Sequence, residues 1–233
     1  MADRFAAAAD ALSKMDSDSS SLTTPILDVL PVTGASISTL GDFLGSETVA
    51  ASDTVAARID EMQFDLGEGP CWDALRSGSP VLAPDLGRVK RWPAFSEAIS
   101  SQRVGSIFAF PLIIGPLRIG ALDLYAVQPM ELGSENAKRS EVFASIVSRH
   151  VLRRALGSSE GIEPDDLVPN SRRIIHQATG FVIAQLGVSA EDAHLLIQGQ
   201  AFSQGRSMRE VAQDVIERRL TWELSANSIE EER

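Results

Sequence analysis

Cys71 is the one cysteine in 233 residues, and it follows Pro70 at the start of a segment that reads as a helix. Free amides in a helix first turn favour a thiolate, which makes Cys71 a redox candidate; a buried structural thiol is the alternative. A single thiol cannot close a disulfide within the chain or build a Cys-rich zinc site. The three histidines, His150, His176 and His194, all lie in the last third. A His-based metal site is therefore not expected in the first 149 residues, and haem or iron–sulfur ligation is disfavoured. Trp72, Trp92, Phe95, Phe108 and Phe110 are candidates to line an apolar ligand pocket with Arg103 as polar partner. Plain core packing is the alternative for each. Arg206 and Arg209 stand where a late helix begins, and a helix start favours phosphate through its free amides and dipole. No catalytic residue is assigned, the cofactor is left open, and the chain is not expected to be an enzyme.

These residues need elements to position them. Residues 1–21 read as a flexible N-terminus, with a short Ala-rich helix over 1–14 and the polar run DSDSSS behind it. Residues 22–157 alternate. Strands are expected at 35–40, 47–51, 79–84, 104–114 and 119–127, the last two separated by the turn signal Gly115-Pro116. Helices are expected at 53–63, 71–76, 91–101 and 136–156. The fold class is α/β, an antiparallel-rich sandwich. Residues 158–169 read as a linker. Residues 170–224 read as an all-α bundle of three helices, and 225–233 as an acidic tail. In the bundle, helix one ends at Gly187 and helix two at Gly205. Ser189 with Asp192 and Ser207 with Glu210 have capping-box spacing.

Charge limits the partners. The chain holds 21 basic and 32 acidic residues, a net −11 that argues against broad non-specific nucleic-acid binding. The split is uneven: residues 1–170 carry 14 basic and 23 acidic side chains, and residues 171–224 carry six of each. No apolar run approaches the length of a membrane span, and the N-terminus lacks a signal-peptide pattern. A cytoplasmic protein is expected.

Residues 30–156 resemble a GAF domain. The resemblance rests on Gly67-Glu68-Gly69-Pro70-Cys71, Ala74-Leu75-Arg76-Ser77-Gly78, Arg91-Trp92-Pro93-Ala94-Phe95, Gly105-Ser106, Phe110-Pro111-Leu112, and Ile119-Gly120-Ala121-Leu122-Asp123-Leu124. It implies a module that senses a small molecule or a redox state. Residues 170–224 resemble an ANTAR domain, on Ser171-Arg172, Ile175, Gln177-Ala178, Gly180, Glu191-Asp192-Ala193 and Val211-Ala212. It implies a three-helix RNA-binding module of a bacterial, actinobacterial-type antitermination regulator, with Ala178, Ala193 and Ala212 permitting close helix approach. The chain departs from that family at Thr179, at His194 and at Gln198-Gly199-Gln200, which removes positive charge.

Helix one projects Ile174, Ile175, Ala178, Phe181, Val182 and Leu186 onto one arc, the expected core face. Arg172, His176, Thr179, Gly180 and Ile183 fall opposite. The candidate RNA-binding residues are thus Arg172, His176, Thr179, Gly180, Arg206 and Arg209, and the ANTAR resemblance implies a stem-loop in a nascent transcript as the target. Leu195 and Phe202, seven residues apart on helix two, are candidates for a dimer contact, and a homodimer is expected. A protein-interaction or DNA-binding regulator that has lost RNA binding is the alternative. An enzymatic reading, methionine sulfoxide reduction of the kind some GAF domains perform, lacks a resolving cysteine.

Overall fold

The computed structural model describes residues 2–15, 22–40, 46–157 and 171–222. The chain divides into two units, Met1–Pro169 and Asn170–Arg233. The expected polar run at 16–21, the linker at 158–169 and the tail at 225–233 lie outside the described residues.

The first unit is built on a five-stranded sheet in the order β2-β1-β5-β4-β3, with β1 Gly34–Thr39, β2 Glu47–Ala51, β3 Val81–Ala83, β4 Ser106–Ile114 and β5 Leu117–Ala126. Every neighbouring pair is antiparallel. Both sheet faces are covered, and the long strands β4 and β5 accordingly read as largely apolar runs. Along β4, Phe108, Phe110 and Leu112 point to a core shared with helices α1 (Ala2–Lys14), α2 (Thr24–Leu27) and α6 (Ser134–Gly157). Ile107 and Tyr125 point the other way, to a core with α3 (Thr54–Leu66) and α5 (Pro93–Ile99); α4 (Pro70–Ser77) also packs on β4 and β5. Gly120 has no room for a side chain: a Cβ there would lie 1.9 Å from the Ser38 carbonyl oxygen on β1.

The expectation of a flexible N-terminus gives way over residues 2–14. Helix α1 docks on α6 through Phe5, whose ring meets Phe143 edge-on at 5.3 Å, and through the fully buried Leu12. The Arg139 guanidinium stands 5.6 Å from the Phe5 ring centre. Ala-rich composition supplies helix propensity, and the apolar stripe of Phe5, Ala8, Ala9 and Leu12 supplies the burial that fixes it. Helix α2 and a 3-10 turn at Leu86–Arg88 were not expected; both are short and lack a periodic pattern.

The second unit holds α7 (Ser171–Leu186), α8 (Ala190–Gln204) and α9 (Met208–Ile216). The chain bends by 110° between α7 and α8. Gly187 and Gly205 adopt the left-handed conformation, φ +68° and +62°, that ends a helix without a Cβ penalty. Ser189 Oγ accepts the Asp192 amide at 3.0 Å. At α9 the capping box is complete: Ser207 Oγ accepts the Glu210 amide, and Glu210 Oε2 accepts the Ser207 amide at 2.9 Å. Ala178, Ala193 and Ala212 are all fully buried where the helices meet.

Candidate functional site

The α3, α4 and α5 side of the sheet carries a buried polar layer. Asp53 caps α3 by accepting the Val55 and Ala56 amides at 2.9 Å each. Tyr125 on β5 donates to the same carboxylate at 3.0 Å. Burial, then the Asp53 charge and the hydrogen bond to it, push the Tyr125 hydroxyl up, so it stays a protonated donor. Two turns further along α3, Asp60 Oδ2 accepts Thr48 Oγ1 at 2.5 Å. Next comes Gln63, fully buried, whose Nε2 donates to Asp123 Oδ2 on β5 at 2.5 Å. Gln63 Oε1 accepts the Cys71 amide at 2.9 Å, and its backbone carbonyl accepts Trp72 Nε1 at 2.6 Å.

Gly69 makes this join possible. It precedes α4 at φ +136°, and a Cβ there would lie 2.6 Å from Gln63 Oε1. The Gly-Pro-Cys start of α4 is therefore a backbone that only glycine lets close over Gln63. Cys71 itself is 1% exposed, with its thiol inside the domain.

Asp73, two residues on, organises the outer edge. It accepts Trp92 Nε1 at 2.8 Å and pairs with Arg91 Nε at 2.8 Å and with Arg76. Burial pushes its carboxyl up. Hydrogen bonds from Arg76 and Trp92 and the charges of Arg91 and Arg76 together outweigh that and hold it below the usual carboxylate range. Arg91 also lies over the Trp92 ring, 5.7 Å from its centre.

The six candidate pocket residues do not assemble in one place. Trp72, Trp92 and Phe95 lie on the α4 and α5 side. Phe108 and Phe110 point through the sheet to the α6 side, where they pack with Phe143. Their positions two apart place them on one face, and burial of both faces hides which. Arg103 is exposed and partners none of them. Gln63, Asp60 and Asp123 are the residues that sequence reasoning missed. The available signal was a polar pair, Asp60 and Gln63, sitting on the inward arc of α3 with Ala56 and Ile59.

In the helical unit, α7 packs against both α8 and α9, and its buried arc is turned relative to the expected one. Arg172 (4% exposed) and Thr179 (8%) lie inside, and Phe181 (45%) lies outside. Thr179 can be buried because its hydroxyl donates to the Ile175 carbonyl at 2.8 Å. The outer face of α7 therefore carries Arg173, His176, Gln177, Gly180 and Phe181, all exposed. A Cβ at Gly180 would meet nothing within 4 Å, so the surface beside it is open.

Arg206 is committed to Asp214, at 2.7 Å from its Nη2, and Arg219 grips the other oxygen of that carboxylate at 2.8 Å. Hydrogen bonds from Arg206 and Arg219 hold the Asp214 carboxyl below its ordinary value. The Asp214 charge on α9 is thus neutralised by two arginines of the same unit. Arg209 is exposed at the helix start. His194, half-buried on α8, is held below the ordinary imidazole value, first by burial and then by the charge of His176 on α7. Leu195 and Phe202 are 53% and 68% exposed.

The sequence model of the GAF domain matches residues 16–150, and the chain belongs to that family. The model of the ANTAR domain matches residues 169–216 behind it. Together they define a regulator with a sensory domain, of the signal-transduction and antitermination kind. The sensor fold is similar to the GAF domain of an Acinetobacter phosphoenolpyruvate-protein phosphotransferase, with TM-score 0.53 and 12% identity over 69% of this chain and 96% of that one. It is similar to that of a Coxiella burnetii phosphoenolpyruvate-protein phosphotransferase, with TM-score 0.53 and 13% identity over 67% and 95%. A phosphatidylserine decarboxylase proenzyme of Rhodococcus erythropolis is 30% identical over 127 residues, 48% of this chain; the chain spans about half the length of that relative. Among the described residues, no single helix is long and apolar enough to cross a membrane.

Proposed function

We propose that the chain is a signal-responsive antitermination regulator whose helical unit binds an RNA stem-loop and whose sensor binds a small polar molecule. The observation that carries the RNA reading is the outer face of α7. It sets an arginine, Arg173, beside an exposed imidazole, an open glycine and an exposed aromatic ring, His176, Gly180 and Phe181. Arginine supplies a phosphate fork, an exposed ring stacks on an unpaired base, and an open glycine lets the backbone approach. Arg209 at the α9 start adds a second cation. The polar layer of Asp60, Gln63 and Asp123 supports a sensor ligand with hydrogen-bonding groups in place of the aromatic-lined pocket with Arg103 as polar partner expected from sequence. Cys71, with no second cysteine in the chain, supports binding and relay in place of redox catalysis.

Gel shifts of the full chain against hairpin RNAs test this. A shift at low salt that weakens in Arg173→Gln and Phe181→Ala is expected. No shift with any hairpin at low salt overturns the RNA reading. A second reading, association of two copies through Leu195 and Phe202, is favoured by their exposure on one stripe of α8.

A further inference from the structure

One stretch of the acidic unit runs against its charge. Residues 68–118 hold six basic and four acidic side chains, while the rest of residues 1–170 carries a net −11. Three of the four acids are already engaged by neighbouring groups. Glu68 Oε1 accepts the Phe95 amide at 2.7 Å. Asp73 serves Trp92, Arg76 and Arg91. Asp85 accepts the Gly87 amide at 3.1 Å and pairs with Arg88 at 3.0 Å.

The cations face outward. Side chains of Arg76 and Arg91 are each 65% exposed and that of Arg88 is 88% exposed. Lys90 and Arg118 are exposed too, and neither pairs with an acid among the described residues. Contacts join Arg76, Arg91 and Arg118, and Arg88 and Lys90 adjoin Arg91 in the chain. Arg118 Nη1 donates to the Leu75 carbonyl at 3.2 Å and to that of Arg76, at the end of α4. Arg76 and Arg91 hold one carboxylate between them, which leaves a net positive charge and fixes both guanidinium groups in place.

In the helical unit Arg173, Arg209 and Arg218 are the exposed arginines outside the Asp214 ion pairs; Arg172 is buried, and Arg206 and Arg219 share Asp214. Affinity for nucleic acid rises with the number of phosphates neutralised, so a binder with few available arginines needs cations from elsewhere. We propose that Arg76, Arg88, Lys90, Arg91 and Arg118 form a second phosphate-binding surface, on the sensor domain, for the RNA backbone. This rests on the RNA reading above and adds a sequence-independent contact to it. Pre-ordered guanidinium forks suit phosphate and lose little freedom on binding.

The test uses the full chain and one hairpin RNA, with and without single-stranded flanks. The triple variant Arg88→Gln/Lys90→Gln/Arg118→Gln keeps both Asp73 ion pairs, and Lys90→Glu alone guards against misfolding of the triple. Flanks are expected to tighten binding by the native chain and not by the variants. Loss of about two to three phosphate contacts lowers the slope of log affinity on log salt by about 2 and weakens binding about tenfold at low salt. Unchanged affinity and slope in both variants, with Arg173→Gln still weakening the shift, overturn the sensor surface and leave the RNA reading standing. Absence of any shift by the native chain overturns both. Polyglutamate that displaces the native chain from RNA as well as unlabelled hairpin does, and spares the triple variant, assigns the patch to an acidic protein partner and overturns the proposal.

Discussion

Gln63 on α3 donates from Nε2 to Asp123 Oδ2 on β5 at 2.5 Å, so one buried carboxamide ties a helix to the central region of the sheet. Its other end accepts the Cys71 amide, which carries the tie on to α4. A change in the Gln63 side chain is thus felt on three elements that surround the polar layer.

Gln63→Leu keeps the volume and removes both hydrogen bonds. The Cys71 amide then loses its carbonyl partner in the interior, at a cost of about 1–3 kcal/mol. Thermal unfolding of the first unit is expected at a lower temperature. Gln63→Glu sets two carboxyl groups together out of water, which raises the pKa of the pair. Its defect is expected at neutral pH and is relieved as pH falls and a proton is shared. Unfolding temperatures across pH 5–8 (about that range, to span the raised pair) that do not recover on acidification overturn this account of the pair.

Asp73 predicts the opposite slope. Its folded carboxyl sits below the ordinary value of 3.8. The stability it contributes is therefore fully present above that value and is lost as pH falls through the lower folded value. Asp73→Asn keeps an acceptor for Trp92 but loses the attraction of Arg76 and Arg91. The variant is expected to be less stable than the native chain at neutral pH, with the gap closing below pH 3.8. Urea melts at neutral and acidic pH measure both. A gap that stays constant on acidification removes the ion pairs from the explanation.

How legible these groups were depends on whether the deciding interactions were local. Gly67 to Cys71, the serine caps at 189 and 207, and the glycine stops at 187 and 205 act within a few residues, and the structure has them in the expected roles. The sidedness of Phe108 and Phe110 was not local. Period two puts them together, but a sheet covered on both faces leaves no polar side to mark the outside. The same holds for α7, where two packing partners instead of one turned Arg172 and Thr179 inward and Phe181 outward. Arg206 and Asp214 are eight residues apart across the start of α9, a pairing with no helical spacing to mark it.

His194 gives the helical unit a pH dependence. Its folded value is below the ordinary 6.5, from burial first and the His176 charge second. A lowered folded value means that stability is complete above pH 6.5 and declines as pH falls from there to the folded value. His194→Gln is expected to flatten that decline, and His176→Ala to soften it. Circular dichroism melts of the full chain, read at the helical transition, decide it: an equal decline in native chain and His194→Gln rejects the assignment.

Adjacent arginines on α7 separate structure from recognition. Arg172 is 4% exposed and Arg173 is exposed. Arg172→Ala empties the space of a buried long side chain, so loss of thermal stability of about 2 kcal/mol or more is expected. Arg173→Gln touches no packed group and is expected to shift stability by no more than about 0.5 kcal/mol. Its effect belongs to RNA: several-fold weaker binding at low salt, with a salt slope shallower by about 1. The two measurements, melting and gel shift, therefore move in different variants. A chain in which Arg173→Gln binds hairpin RNA as the native protein does, while Arg172→Ala melts normally and loses binding, puts the recognition face on the side of α7 that packs in this structure.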